Sequence, residues 1–136
     1  MRLVLKKMIE VTNMKKIIIS IDNINFSIKL RKTKTADIIK NSLPLEGKCN
    51  TWGKEFYFYT NLNIDLEFNA LAIIKKGEIA YWTQGDAIVI GFGKTPISIK
   101  EEIRLADKCN IWADKEFDLN ILNDIVDPKL IKIEHK

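Results

Sequence analysis

The alternation of hydrophobic and polar positions predicts many short strands and little helix. Residues 16–22 are mostly β-branched and apolar, residues 23–25 have the composition of a turn, and residues 26–31 alternate between apolar and polar side chains. A period of two is typical of a half-buried strand, so we predict a β-hairpin at this point. A short helix is then predicted over residues 36–41, and it must end before Pro44.

The rest of the chain continues as strands separated by turn residues. The predicted strands cover residues 54–59, 70–74, 79–83, 87–92, 109–113 and 130–133. An irregular stretch is expected after residue 92 and up to about residue 107, and one or two helical turns over residues 118–125. Closely spaced turns with little helix favour a closed β-barrel or a sandwich over a parallel sheet.

Length and composition place the chain among folded proteins of one domain. It has 136 residues, of which 46% are hydrophobic and 29% are charged, and this excludes a disordered or low-complexity chain. We interpret residues 1–13 as an N-terminal extension and residues 14–136 as a single domain, although Met14 is an equally good start. No apolar run approaches the ~20 residues that span a bilayer. We therefore expect a cytoplasmic protein without a membrane partner.

Charge is distributed unevenly along the chain. Residues 1–40 carry ten lysines and arginines against three acids, whereas residues 41–136 carry twelve against fifteen. A basic first third can attract nucleic acid. Without a basic and aromatic recognition motif we favour a solvated lysine-rich surface and expect no nucleic-acid partner.

The cysteines and the single histidine leave little material for nucleophilic or metal chemistry. Cys49 and Cys109 are not in a Cys-x-x-Cys motif, and His135 is the next-to-last residue. Catalytic triads, Cys–His dyads and zinc sites need more of these side chains. We therefore expect no cofactor and no metal, and two reduced, buried thiols.

Aromatic residues on the strand 54–59 are the most informative candidates. Phe56 and Phe58 must face the core, so Glu55 and Tyr57 face the other side, near Trp52. An exposed aromatic surface suits an apolar ring or a proline-containing peptide. For Glu55 we favour a solvated surface carboxylate; if it lines a cleft instead, its pKa is raised and it can act as an acid or base.

Four segments in order resemble a prokaryotic family of small cyclophilin-like proteins without an assigned biochemical function. These segments are residues 50–58 (NTWGKEFYF), 77–82 (GEIAYW), 85–87 (GDA) and 92–96 (FGKTP). The resemblance covers about residues 14–134. It implies a closed eight-stranded β-barrel with a helix at one or both ends and a pocket on the side of the barrel.

The same resemblance argues against efficient prolyl isomerase activity. Cyclophilins catalyse cis/trans isomerisation at proline with an arginine on a barrel strand, but the matching strand here, residues 55–60, has none. The chain contains only Arg2, Arg31 and Arg104. Arg104 is the catalytic candidate if the protein is a weak or atypical isomerase.

The sequence therefore predicts a cyclophilin-like β-barrel that binds a small molecule or peptide in an aromatic-lined groove. The candidate ligand-binding residues are Trp52, Tyr57, Tyr81 and Phe92 as apolar walls, with Glu55 and Lys94 as polar groups. Two alternatives stay open. One is the atypical isomerase, and the other is a non-catalytic interaction module, homo-oligomeric through its basic N-terminal hairpin.

Overall fold

Residues 16–116 and 118–136, described by a computed structural model, form ten strands, one α-helix and one 3-10 helix. The predicted extension at residues 1–13 and the alternative start at Met14 lie outside this part of the chain. The elements are β1 (Ile17–Ile21), β2 (Ile24–Leu30), α1 (Lys34–Asn41), β3 (Leu45–Lys48), β4 (Asn50–Thr51), β5 (Glu55–Tyr59), β6 (Leu71–Ile74), β7 (Glu78–Trp82), β8 (Ala87–Gly91), β9 (Ile103–Lys115), the 3-10 helix (Leu119–Asp124) and β10 (Leu130–His135). Neither of these helices is long and apolar enough to cross a membrane.

The strands form one antiparallel sheet in the order β3-β10-β1-β2-β9-β7-β8-β5-β4, with β6 paired to β9. The sheet curls into a nearly closed barrel, which confirms the predicted mainly β, cyclophilin-like fold. β3 and β4 are the two ends of this order, and only Cys49 separates them in sequence. We call the place where the two ends of the strand order meet the seam. There β3 packs closely on β5, since a Cβ added to Gly47 of β3 would lie 2.9 Å from the Phe58 ring of β5.

Helix α1 forms where the sequence predicts it. The Thr33 side chain caps its start by accepting a hydrogen bond from the Ala36 N–H at 3.0 Å, which satisfies one of the free donors of the first turn. Asp37 in the first turn and Lys40 in the last turn match the helix dipole. Ala36 and Ile39 are fully buried and join the barrel core.

The apolar side chains form two separate clusters on the two faces of the sheet. The larger cluster, the barrel core, takes Ile79 and Tyr81 from β7 and Ile88 and Ile90 from β8, among others. The smaller cluster, here called the outer cluster, lies on the opposite face and contains Ile74, Ala80, Val89, Ile103, Leu105, Cys109 and Ile111. Strands β7 and β8 are therefore buried on both faces.

The strands of the structure differ from the predicted ones in two places. β9 begins at Ile103, within the stretch expected to be irregular up to about residue 107, because charged residues hide the alternation of Ile103 and Leu105. β3 was not predicted, since its four residues include a single large apolar side chain, Leu45. The 3-10 helix confirms the helical turns expected over residues 118–125.

Candidate functional site

A pocket of about 180 Å³ opens on the outer face of the barrel wall. We call it the aromatic pocket. It is lined by Trp52, Glu55, Tyr57, Trp82, Val89, Leu105, Ala106 and Cys109. Three of the six sequence candidates, Trp52, Glu55 and Tyr57, come together here.

Strand register places the aromatic side chains on one wall. Tyr57 pairs with Val89 across β5 and β8, and Trp82 pairs with Cys109 across β7 and β9. Directly opposite residues on one face of a sheet lie within contact distance. The register therefore builds a continuous outer surface from four strands.

The rings of Tyr57 and Trp82 are held in position by neighbours. Tyr57 packs edge-on against Tyr59, with ring centroids 5.7 Å apart and planes at 90°. The indole N–H of Trp82 donates to Asp107 Oδ2 at 3.1 Å. The orientation of both rings is therefore set by neighbouring residues of the protein.

The turn before β5 carries Trp52. Its backbone N–H donates to the Glu55 carbonyl at 3.0 Å, and Gly53 adopts φ +60. A Cβ at Gly53 would approach the Lys94 carbonyl oxygen to 2.8 Å. Only glycine combines this left-handed conformation with this close approach, so Gly53 fixes where Trp52 meets the pocket.

Glu55 is a buried carboxyl group in the aromatic pocket. Its exposed fraction is 5%, and among residues 16–116 and 118–136 no group donates a hydrogen bond to its carboxylate. Burial raises its pKa to about 7, because desolvation disfavours the charged form. The favoured interpretation of a solvated surface carboxylate is therefore wrong, and the cleft alternative holds.

The burial of Glu55 comes from a distant segment. Its partner in the ladder is Gly91, which has no side chain. A Cβ there would lie 2.9 Å from Ile103 and 3.1 Å from Ile74. These isoleucines fill the space over Gly91, on the face of the sheet that carries Glu55.

Both thiols of the described chain are buried and free. Burial raises the pKa of Cys49 and of Cys109 to about 12. Cys109 lines the aromatic pocket and its Sγ contacts the Asp107 carbonyl at 3.4 Å. Thiols that stay protonated at neutral pH are poor nucleophiles.

Tyr81 lies in the barrel core and not at the aromatic pocket. Its ring is fully buried because alternation along β7 turns it to the face opposite Trp82. Its hydroxyl donates to Asp86 at 2.6 Å and accepts from the Ile64 N–H at 3.2 Å. Burial by itself would raise the pKa of Asp86, but hydrogen bonds from Thr60 and Tyr81 hold it below its ordinary value.

Phe92 and Lys94 belong to a second cavity, here called the basic groove. Phe92 packs on Phe56 with ring centroids 4.7 Å apart and is 6% exposed. Lys94 is half-exposed, and its Nζ atom lies 3.9 Å from Glu101 Oε1. The groove has about 620 Å³ and is lined by Gly53, Lys54, Ile74, Lys75, Lys76, Phe92, Gly93, Lys94, Glu101, Glu102, Ile103 and Asn123. The structure thus separates the predicted polar groups Glu55 and Lys94.

Arg104, the candidate for the isomerase alternative, does not line the aromatic pocket. Its guanidinium group donates to both carboxylate oxygens of Glu102, at 2.8 and 3.3 Å. The guanidinium group is therefore engaged outside the pocket.

Sequence reasoning missed five residues that line the pocket. Trp82 repeats the aromatic theme of β5, but β7 is apolar on both faces, so the sequence does not show which of Tyr81 and Trp82 faces the pocket. Val89 and Cys109 look like ordinary apolar strand residues, and Leu105 and Ala106 lie in the stretch expected to be irregular. In the described ranges no three His, Cys, Asp or Glu side chains cluster as metal ligands would.

Comparisons with known proteins agree with this architecture. The family described as Cyclophilin-like matches residues 15–134. The solution structure of a hypothetical protein from Archaeoglobus fulgidus is 28% identical, with a TM-score of 0.72, over 90% of this chain and 96% of that chain. No curated protein matches the sequence. Because the family match covers nearly the whole chain, this protein belongs to the cyclophilin-like family.

Proposed function

We propose that this protein binds a small molecule, or one side chain of a peptide, in the aromatic pocket. The observation that carries the proposal is Glu55, a residue that is 95% buried, whose carboxylate has no hydrogen-bond partner in the described chain and lies in a pocket with aromatic walls. Buried polar groups are normally hydrogen-bonded, and burial without a partner is a free-energy cost to the charged carboxylate. A ligand that contacts Glu55 removes this cost.

The size of the pocket sets the size of the group it accepts. A cavity of ~150 Å³ lined by apolar side chains binds benzene, and the aromatic pocket has about 180 Å³. One ring or one compact branched group therefore fits. Larger ligands would extend from the pocket across the exposed surface beside Tyr59.

Binding without isomerisation is favoured by the position of Arg104. An isomerase needs a positioned donor at the twisting imide, and such a donor contributes ~10²–10³ in rate. The Arg104 guanidinium pairs with Glu102 instead, at 2.8 Å. The described lining of the aromatic pocket includes a carboxyl group and no cationic side chain.

The proposal is tested with the full chain and three ring-sized probes: N-acetylprolinamide, benzyl alcohol and benzylamine. The readout is the indole N–H signals in ¹H–¹⁵N NMR spectra. Trp52 and Trp82 line the pocket, whereas Trp112 is fully buried in the barrel core and serves as an internal reference. At least one probe is expected to shift the two pocket signals and leave the third unchanged.

A pair of variants on β9 controls this experiment. Ala106 lines the pocket, so Ala106→Phe should narrow it and abolish the shifts. Lys108 is an exposed residue of the same strand that does not line the pocket, so Lys108→Phe should leave them intact. The proposal is wrong if none of the probes moves the Trp52 and Trp82 signals at millimolar concentration.

A further inference from the structure

We propose that the group bound in the aromatic pocket is a cation, an alkylammonium held against Trp52, Tyr57 and Trp82 with its charge next to Glu55. This inference rests on the proposed function and specifies its ligand class. It follows from the charge of the lining, from the available ring surfaces and from the surroundings of the carboxyl group.

Among the residues that the structure describes, the lining contains an acidic side chain and no basic one. Of its eight residues, Glu55 alone carries a full charge when ionised, and the others are aromatic, aliphatic or a thiol. The nearest basic cavity, the basic groove, is lined by a different set of residues. An anionic ligand would meet an unbalanced carboxylate, whereas a cationic ligand would supply the missing counter-charge.

Three of the eight lining residues are large aromatic side chains, Trp52, Tyr57 and Trp82. The indole N–H of Trp82 already donates to Asp107, and Tyr57 is packed edge-on by Tyr59. The faces of Trp and Tyr rings attract cations, with a gain of ~0.5–2 kcal/mol that grows as the site is desolvated. Three such side chains around one carboxylate form the kind of cage that recognises ammonium groups.

The surroundings of Glu55 favour a cation over a neutral donor. Burial raises its pKa to about 7. Burial is also the main cause of the raised pKa values of Tyr57 and Cys109, and the negative charge of Glu55 adds to it. A positive charge within about 4–6 Å of a carboxyl group favours its ionised form. A bound ammonium therefore offsets the desolvation that the empty pocket imposes on Glu55.

The test uses two probes of nearly equal size, tetramethylammonium and the neutral tert-butanol. Titrations of the full chain at pH 8 follow the indole N–H signal of Trp82, with Trp112 as reference. Tetramethylammonium should bind at least tenfold more tightly than tert-butanol. Tetramethylammonium cannot donate a hydrogen bond, so a preference for it reports charge and π contacts only.

Matched charge variants separate the local carboxylate from the net charge of the protein. Glu55→Gln should weaken tetramethylammonium binding roughly tenfold or more, in line with losing a desolvated counter-charge. Glu101→Gln makes the same change at a fully solvated side chain with 92% exposure and should leave the affinity unchanged. Trp52→Leu should weaken it roughly 3- to 30-fold, the range for one cation–π contact.

The outcomes distinguish this inference from the proposed function. Equal or tighter binding of tert-butanol overturns the ammonium assignment and leaves a neutral-ligand pocket standing. The same holds if Glu55→Gln and Glu101→Gln reduce the affinity equally, because the effect is then one of net charge. If neither probe and none of the ring-sized probes shifts the pocket indoles, both conclusions fall.

Discussion

Glu55 and Glu78 are two buried glutamates with opposite surroundings. Glu78, at the start of β7, is 8% exposed, and its Oε2 atom accepts a hydrogen bond from Arg31 at 2.7 Å. Its Oε1 atom accepts from the Lys75 N–H at 2.6 Å. Asp114 completes the cluster by receiving two further hydrogen bonds from Arg31, each at 2.8 Å.

Glu55, at the start of β5, is as deeply buried but has no such partner. Burial is the only cause that acts on its pKa, and it raises the value to about 7. Both glutamates are placed by a strand, but the described part of the chain supplies a counter-charge to Glu78 and none to Glu55. A carboxyl group without an internal partner is available to a ligand, which is why we propose a structural role for Glu78 and a binding role for Glu55.

Removing the cation of the Glu78 cluster should have the largest effect on stability. Arg31→Ala leaves two carboxylates close together without their partner, and breaking a buried pair costs about 3–5 kcal/mol. Because the Arg31 side chain is 34% exposed, we expect a loss of about 3 kcal/mol in the free energy of unfolding. Urea denaturation at pH 7 measures it.

The control for Arg31→Ala is Lys132→Ala. Lys132 pairs with Glu134 at 3.4 Å on the surface, and such exposed pairs contribute less than about 1 kcal/mol. If both variants lose the same small amount of stability, the Glu78 cluster is no more structural than a surface pair and the contrast with Glu55 disappears.

Glu55→Gln should instead stabilise the protein in a pH-dependent way. The pKa of Glu55 is raised from 4.5 to about 7 in the folded state, so the folded state holds the proton more tightly than the unfolded state. The wild type therefore loses stability as pH rises from about 4.5 to about 7, whereas the variant does not. From pH 5 to pH 8 the variant should gain about 2 kcal/mol relative to the wild type.

Urea denaturation at several pH values measures this difference. The conservative variant Glu55→Asp keeps an ionisable group and should retain the pH dependence. A constant difference between wild type and Glu55→Gln at all pH values would mean that Glu55 is ionised normally and that the contrast between the two glutamates is wrong.

The thiols should react slowly in the native protein. Cys109 lies in the same pocket as Glu55, and burial raises the pKa of Cys109 and of Cys49 to about 12. Since the thiolate is the reactive form, a thiol reagent at pH 8 should modify native protein at least about tenfold more slowly than urea-unfolded protein. Equal rates would show that the thiols are accessible to solvent in the native protein.

Prolyl isomerisation should show no change from the uncatalysed rate. The described lining of the aromatic pocket includes a carboxyl group and no guanidinium, and the Arg104 guanidinium is bound by Glu102. An exchange measurement by NMR on an X-Pro peptide tests this. Clear catalysis that Arg104→Ala abolishes would assign the site to the isomerase alternative.

Local sequence patterns correctly predicted the orientation of side chains on a strand that alternates between core-facing and outward-facing residues. The alternation of β5 correctly separates Tyr57 from the core-facing Phe56 and Phe58. The same reasoning could not orient Tyr81, because β7 is apolar on both faces and packs on both. A strand buried on both sides has no polar face that reveals its direction.

The burial of Glu55 could not be predicted for a different reason. Ile74 and Ile103 pack over Gly91, the ladder partner of Glu55. These residues are distant in sequence and meet only when the sheet curls. Nothing in the residues beside Glu55 distinguishes it from a solvated acid, so its pKa is a property of the tertiary structure.

The single residue between β3 and β4 also affects how the barrel opens. These strands are the two edges of the sheet, and edges with unpaired backbone groups invite pairing with other chains. Cys49 joins them directly through the backbone, and its N–H is held by the Lys129 carbonyl at 2.9 Å. The backbone of Cys49 thus connects β3 to β4, which are not paired by a hydrogen-bonded ladder. The two strands therefore cannot separate at that point without stretching the chain.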